Sequence, residues 1–170
     1  MKKLFLLTLL SGLLLSLNAS AQQDKSKRPS PPALVSKTIS SGATISVDYS
    51  RPSLKGRTLA VLAPVGKVWR TGANEATVFE TNKDVKIEGK PLPAGKYGLY
   101  TIPGDQEWTI IFNKSWKQWG TVYKESEDAL RVNVKAENSS NNTETFTIEI
   151  QDNGNVSLLW ANSKVVFKVR

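Results

Sequence analysis

The densest chemistry in the chain lies in Lys67-Val-Trp-Arg-Thr-Gly-Ala-Asn-Glu-Ala-Thr77. Within it Arg70 offers a planar fork of donors for a carboxylate, phosphate or sugar hydroxyl pair, Asn74 both donates and accepts, and Glu75 accepts. Trp69 could stack on an apolar ring face, and Gly72 lets the backbone turn or approach a ligand closely. These are the parts of a small polar site. The same residues also admit a reading without a ligand, in which Arg70 pairs with Glu75, Trp69 is core and Asn74 satisfies loop backbone groups.

Two further clusters carry polar or aromatic chemistry. Arg51, Lys55 and Arg57 lie in a loop marked by Pro52 and Gly56. They are either solvated or form an anion-attracting rim beside the Arg70 string, suited to an acidic glycan or a phosphorylated metabolite. Trp116 and Trp119, beside Lys114, Lys117 and Gln118, are either an aromatic platform for a sugar ring or a cap on the domain core. Histidine and cysteine are absent, which excludes imidazole bases, thiolate nucleophiles and nearly all zinc or copper ligand sets. No Asp-x-Asp-x-Asp loop, Gly-rich phosphate loop or nucleophile elbow occurs, so no metal and no cofactor is expected. Asp152-Asn153-Gly154 reads as a hairpin turn.

The elements that must position these residues are strands. Ile45, Val47 and Tyr49 alternate with Ser46, Asp48 and Ser50, and the same period of two recurs in Leu130–Lys135, Phe146–Gln151 and Val165–Val169. Trp108–Phe112 is apolar on both faces, as expected of a central strand covered on both sides. Turn residues follow nearly every run. The spacing predicts an all-β domain, an antiparallel β-sandwich (jelly-roll or Ig-like) with one or two short helical turns. Leu54–Val68 reads as a crossover loop with one such turn, and Ser115–Ala129 as a second irregular stretch.

Residues 1–21 read as a signal peptide: Lys2 and Lys3, an apolar run from Leu4 to Leu17, and a small-residue cleavage signal at Ala19-Ser20-Ala21. The run is shorter than the roughly 20 residues a bilayer needs, so a soluble product, not embedded in the membrane, is expected in the periplasm or outside the cell. Residues 22–32, with Lys25, Lys27, Arg28 and three prolines, read as a disordered linker. Residues 33–170 then form a single domain, which must be held by packing because no disulfide can form. The formal charge is +8 over 170 residues, but much of it lies in the leader and linker. With export, this argues against a nucleic-acid partner.

The chain resembles the exported bacterial proteins grouped as the domain-of-unknown-function family numbered 2911. The resemblance is carried by Tyr49-Ser-Arg-Pro-Ser53 with Lys55-Gly-Arg57, by the Lys67–Thr77 string, and by Leu92-Pro-Ala-Gly-Lys-Tyr97. Trp108–Lys114, Gln118-Trp-Gly120 and Leu130-Arg-Val132 extend it. It implies a secreted or periplasmic β-rich domain, and no reaction, substrate or cofactor. Family members often carry Ser-Pro-His near the mature start, where this chain has Ser30-Pro31-Pro32.

Three functions fit the residues. The favoured one is a non-enzymatic module binding a polar small molecule or glycan through Trp69, Arg70, Asn74 and Glu75, with Arg51, Arg57 and Trp119 contributing. The alternatives are a structural or assembly subunit of the cell envelope and a carboxylate-dependent hydrolase using Glu75 with Glu80 or Asp48. No particular protein partner is indicated. Hydrogen-bonding groups outnumber proton-transfer groups in the string, which favours binding over catalysis.

Overall fold

The computed structural model describes residues 24–170, so the leader read over 1–21 lies outside the described residues. Nine strands follow in order: β1 (Pro32–Thr38), β2 (Thr44–Ser50), β3 (Thr77–Thr81), β4 (Val85–Ile87), β5 (Lys90–Leu92), β6 (Gly95–Ile102), β7 (Glu107–Asn113), β8 (Asp128–Ile150) and β9 (Asn155–Lys168). One helical turn, α1 (Leu59–Leu62), interrupts the long β2–β3 connection, which joins neighbouring antiparallel strands and so is not the crossover expected over Leu54–Val68, and 3-10 turns occur at Lys25–Lys27 and Glu125–Glu127. Among the described residues no helix is long and apolar enough to cross a membrane.

Seven strands form one antiparallel sheet in the order β1-β2-β3-β6-β7-β8-β9, with β4 and β5 as a separate hairpin. The sheet curls because β8 serves two partners in succession. Its first part pairs with β7 through Trp108↔Val134 and Ile110↔Val132, and its later part pairs with β9 through Ile148↔Leu158. Between them the β8–β9 register shifts across the polar Asn138–Thr143 stretch, Asn138 pairing with Ser163 and Thr143 with Ala161, so that β8 carries surplus residues. Two further joins draw the layers together. Phe146 N donates to Pro52 O (2.8 Å) and Leu54 N to Glu144 O (3.0 Å), while Lys86 and Arg170 exchange both backbone bonds at 2.7 and 3.0 Å. The result is sandwich-like.

Alternation explains the core. Ile45 and Val47 of β2, Phe79 of β3, Leu99 of β6, Ile110 and Phe112 of β7, and Phe167 of β9 all point into one buried cluster. The central-strand expectation for Trp108–Phe112 holds: β7 lies between β6 and β8, and Ile111 faces a second cluster with Tyr100 and Ala76 on the outer side. That outer cluster is covered by the 115–127 segment. Tyr100 Oη donates to Val122 O (3.1 Å) and accepts from Gln118 Nε2 (3.0 Å), which fixes the segment against the sheet. At the β8–β9 turn Gly154 is left-handed (φ 84°), and a Cβ there would collide with the Val169 carbonyl. The turn therefore requires glycine for both reasons.

Candidate functional site

The Lys67–Thr77 string is a loop between α1 and β3 whose successive side chains take different directions. Trp69 exchanges backbone hydrogen bonds with Thr101 at 2.7 and 2.9 Å. Its indole is 7% exposed, stacks on Trp160 at 5.3 Å and meets Phe146 edge-on at 5.1 Å. Thr71 (φ 51°) and Asn74 (φ 59°) are both left-handed, a conformation uncommon for any non-glycine residue and a clear outlier for a β-branched one. Thr71 is held there: it is fully buried, its carbonyl accepts from Thr77 Oγ1 (2.8 Å), and its hydroxyl reaches Thr101 Oγ1 (3.2 Å). Gly72 lies so close to β2 that a Cβ would meet Ser50 O at 3.0 Å.

These reversals separate Arg70 from Glu75, which are not paired with each other and line different grooves. The Arg70 groove has a volume of about 630 Å³ and is walled by the 57–70 loop on one side and Gly120, Thr121 and Tyr123 on the other. Trp69 and Trp160 contribute to its apolar side, and Arg57 joins Arg70 as the second cation. Among the described residues no Asp or Glu lines it. Among the described residues neither arginine forms an ion pair. Arg57 is braced by its own loop, donating from Nε to Leu54 O and from Nη2 to Ser53 O, each at 3.0 Å. Arg70 is less tied, with one long bond from Nε to Gly72 O at 3.4 Å. Burial works against its charge and pushes its pKa down.

Gly120 makes room for that arginine. A Cβ at Gly120 would fall 2.8 Å from Asn74 O, 3.1 Å from Arg70 Cβ, and nearer still to Arg70 Cδ. The backbones are paired here, Gly120 N donating to Asn74 O and Ala76 N to Gln118 O, both at 3.0 Å. Nearby, Tyr123 Oη donates to Asp128 Oδ2 and accepts from Arg131 Nη2, both at 2.7 Å. Burial, with the Asp128 carboxylate as acceptor, pushes the Tyr123 phenol up to about 12. It stays neutral and holds its wall of the groove in place.

Glu75 faces the other groove, of about 390 Å³. Arg28 Nη1 donates to both its oxygens (3.0 and 2.8 Å), and Lys25 Nζ lies 3.2 Å from Oε1. Partial burial pushes the Glu75 carboxyl up, but its own backbone N–H and the two cations outweigh that and hold it at about 2. A carboxyl so placed is a poor proton donor at neutral pH. Asn74 Nδ2 donates to Ser30 O at 3.2 Å, a second tie to the same N-terminal segment. Residues read from sequence as a solvated tether are thus strapped to the domain through Arg28, Lys25 and Ser30. Pro32 already belongs to β1.

Of the other residues singled out by sequence, Arg51 lies outside both grooves and ties β2 to β8, donating to Phe146 O (3.1 Å) and Thr147 Oγ1 (2.9 Å). Trp119 is 50% exposed on the strip that pairs with Glu75. Trp116 carries Lys96 over its ring at 5.3 Å. Glu80, considered as a catalytic partner for Glu75, pairs with Lys96 at 3.4 Å, and Asp48 lines the Glu75 groove. Sequence reasoning missed Gly120, Tyr123 and Arg28. Gly120 had a visible signal as a glycine closing an aromatic run, but its partner lies 50 positions away in sequence terms and is brought near only by the Glu75–Trp119 bridge.

No curated protein and no solved structure matches this chain. The family described as "Protein of unknown function (DUF2911)" matches residues 30–169. That span runs from Ser30, which tethers Asn74, to Val169, just after β9, and so includes every residue lining the Arg70 groove, whereas Lys25 and Arg28 of the Glu75 groove precede it. The chain belongs to the DUF2911 family.

Proposed function

We propose that this protein is a non-enzymatic binding module for a small molecule bearing an anionic group, seated at Arg70 and Arg57. The observation that carries the reading is a groove of drug-like volume with two arginines and no carboxylate on its walls. A partly buried cation without a counter-charge is unfavourable, and an anionic ligand would relieve it with charge-assisted hydrogen bonds. One of the five guanidinium donors of Arg70 is used, weakly, by Gly72. Glu75, neutralised by Arg28 and Lys25, has the wrong protonation behaviour for the acid of a hydrolase. The leader of Lys2, Lys3 and Leu4–Leu17 supports action in the periplasm or outside the cell.

Thermal unfolding with inorganic phosphate, acetate and glucuronate tests the reading. A ligand at 100 times its Kd stabilises the native state by about 2.7 kcal/mol. The stabilisation is expected to vanish in a folded Arg70→Ala variant. Stabilisation unchanged by that substitution would place the site elsewhere, and no stabilisation by any anion would favour an envelope assembly role.

A further inference from the structure

The Arg70 groove combines its two cations with apolar residues on its walls. Six large hydrophobic residues are exposed among the described residues: Leu34, Val61, Val65, Val68, Trp119 and Val122. Leu34 stands apart on β1. The other five occur on the 57–70 loop and the 118–123 strip; of these Val68 lines the Arg70 groove, while Val65 lines a separate one with Trp108. Exposed hydrophobics scattered singly are ordinary, but Val68 borders a concave site that also holds two cations.

The lining continues the pattern. Pro52, Leu62, Val68 and the two indoles give the groove apolar walls, and its charge is confined to Arg57 and Arg70. A sugar acid would have little use for this arrangement. An indole can pack on a pyranose face, but valine and leucine methyls offer nothing to hydroxyls. A free phosphate would engage the arginines and leave the walls wet.

We infer that the ligand of this groove is an amphiphilic anion, with a carboxylate or phosphate head between Arg57 and Arg70 and a hydrocarbon chain lying over Leu62 and Val68. The inference rests on the anion-binding reading given above and narrows its ligand class. Free amphiphiles and lipids drawn from a bilayer share this chemistry. The head supplies the charge that the groove lacks, and the chain covers apolar walls that otherwise face water.

Titration calorimetry of the purified protein with inorganic phosphate, butyl phosphate and octyl phosphate, the last kept monomeric, tests this. Each methylene seated on the walls should tighten binding about threefold to fourfold. Octyl phosphate is therefore expected to bind at least about tenfold more tightly than phosphate. Val68→Ser should reduce that gain while leaving phosphate binding unchanged, and Arg70→Ala should abolish binding of both. Phosphate binding that requires Arg70 but gains nothing from the tail would overturn the amphiphile and leave the anion site standing. Loss of nothing in Arg70→Ala would overturn both. Octyl glucoside binding as tightly as octyl phosphate would reduce the effect to apolar adsorption and also overturn the inference. Vesicles rich in phosphatidylglycerol separate the sources. Vesicle binding that octyl phosphate displaces assigns the ligand to a bilayer, and its absence beside tight octyl phosphate binding assigns it to free amphiphiles.

Discussion

Replacing Gly120 by alanine tests whether the Arg70 stem is seated by the missing side chain opposite it. The added Cβ would meet Asn74 O at 2.8 Å and Arg70 Cβ at 3.1 Å, with Arg70 Cδ closer still. The arginine stem can swing away at an off-rotamer cost of roughly 1 kcal/mol. The Asn74 carbonyl cannot move without stretching the Gly120 N to Asn74 O bond, now 3.0 Å, at a further cost of about 1 kcal/mol. Against these, alanine restricts the unfolded chain and returns about 0.5 kcal/mol. The net destabilisation is about 1.5 kcal/mol, or about 5 °C in Tm for a domain of this size. Urea unfolding of G120A, R70A and the double variant separates the two contacts. If the stem is half of the clash, Gly120→Ala should cost about 1 kcal/mol less in the R70A background. Equal cost in both backgrounds would refute the role assigned to Gly120 and leave only the backbone contact.

Two other predictions concern the ties around the string. Glu75 has a folded pKa of about 2 against an ordinary 4.5. Its contribution is therefore present above about pH 5 and is lost as pH falls through 4.5 towards 2. Because its side chain is 40% exposed, solvent screening limits that contribution to at most about 1 kcal/mol. The stability gap between wild type and Glu75→Gln in urea should be widest near neutrality and close in acid; a gap independent of pH contradicts the Arg28–Glu75 latch. At Asn74, with φ 59°, both Asn74→Gly and Asn74→Ala lose the Ser30 tie, but alanine also meets left-handed strain. Alanine should be the less stable by about 1 kcal/mol, and equal Tm values would show that the backbone conformation is not limiting.

Period-two alternation made the strands legible, and a two-faced apolar run marked Trp108–Phe112 as central, because a strand's burial on each face is a local property. The site was legible only as a loop rich in polar groups. Nothing local to Trp69 distinguishes an indole offered to a ligand from one stacked on Trp160, since that partner joins it through the β8–β9 layer. The choice of counter-ion was equally hidden. Arg70 is five residues from Glu75, yet two left-handed residues intervene, and the carboxylate instead meets Arg28, 47 positions earlier. Composition made 22–32 look like a tether because prolines and lysines lack apolar periodicity, while contacts of Lys25, Arg28 and Ser30 with the 74–75 turn are not legible locally.

The string's strain and its site have a common geometric origin. A chain passing from the core at Trp69 to the β3 ladder at Thr77 could reverse over glycines alone, yet it places a buried threonine at φ 51°, at a cost of roughly 1–2 kcal/mol. The compensating bonds are specific: Thr77 Oγ1 to the Thr71 carbonyl, and the Thr71 hydroxyl to Thr101 on β6. A glycine at 71 would avoid the strain but lose the second of these and loosen the segment immediately after Arg70. Trp69, locked on one side by Thr101 and Trp160, and Thr71, locked on the other, leave Arg70 between two immobile neighbours. A guanidinium with few bonds of its own is thereby held in place by its backbone, the condition under which a ligand can use its donors without first ordering the loop. This arrangement is better suited to recognition than a flexible arginine on the same loop would be.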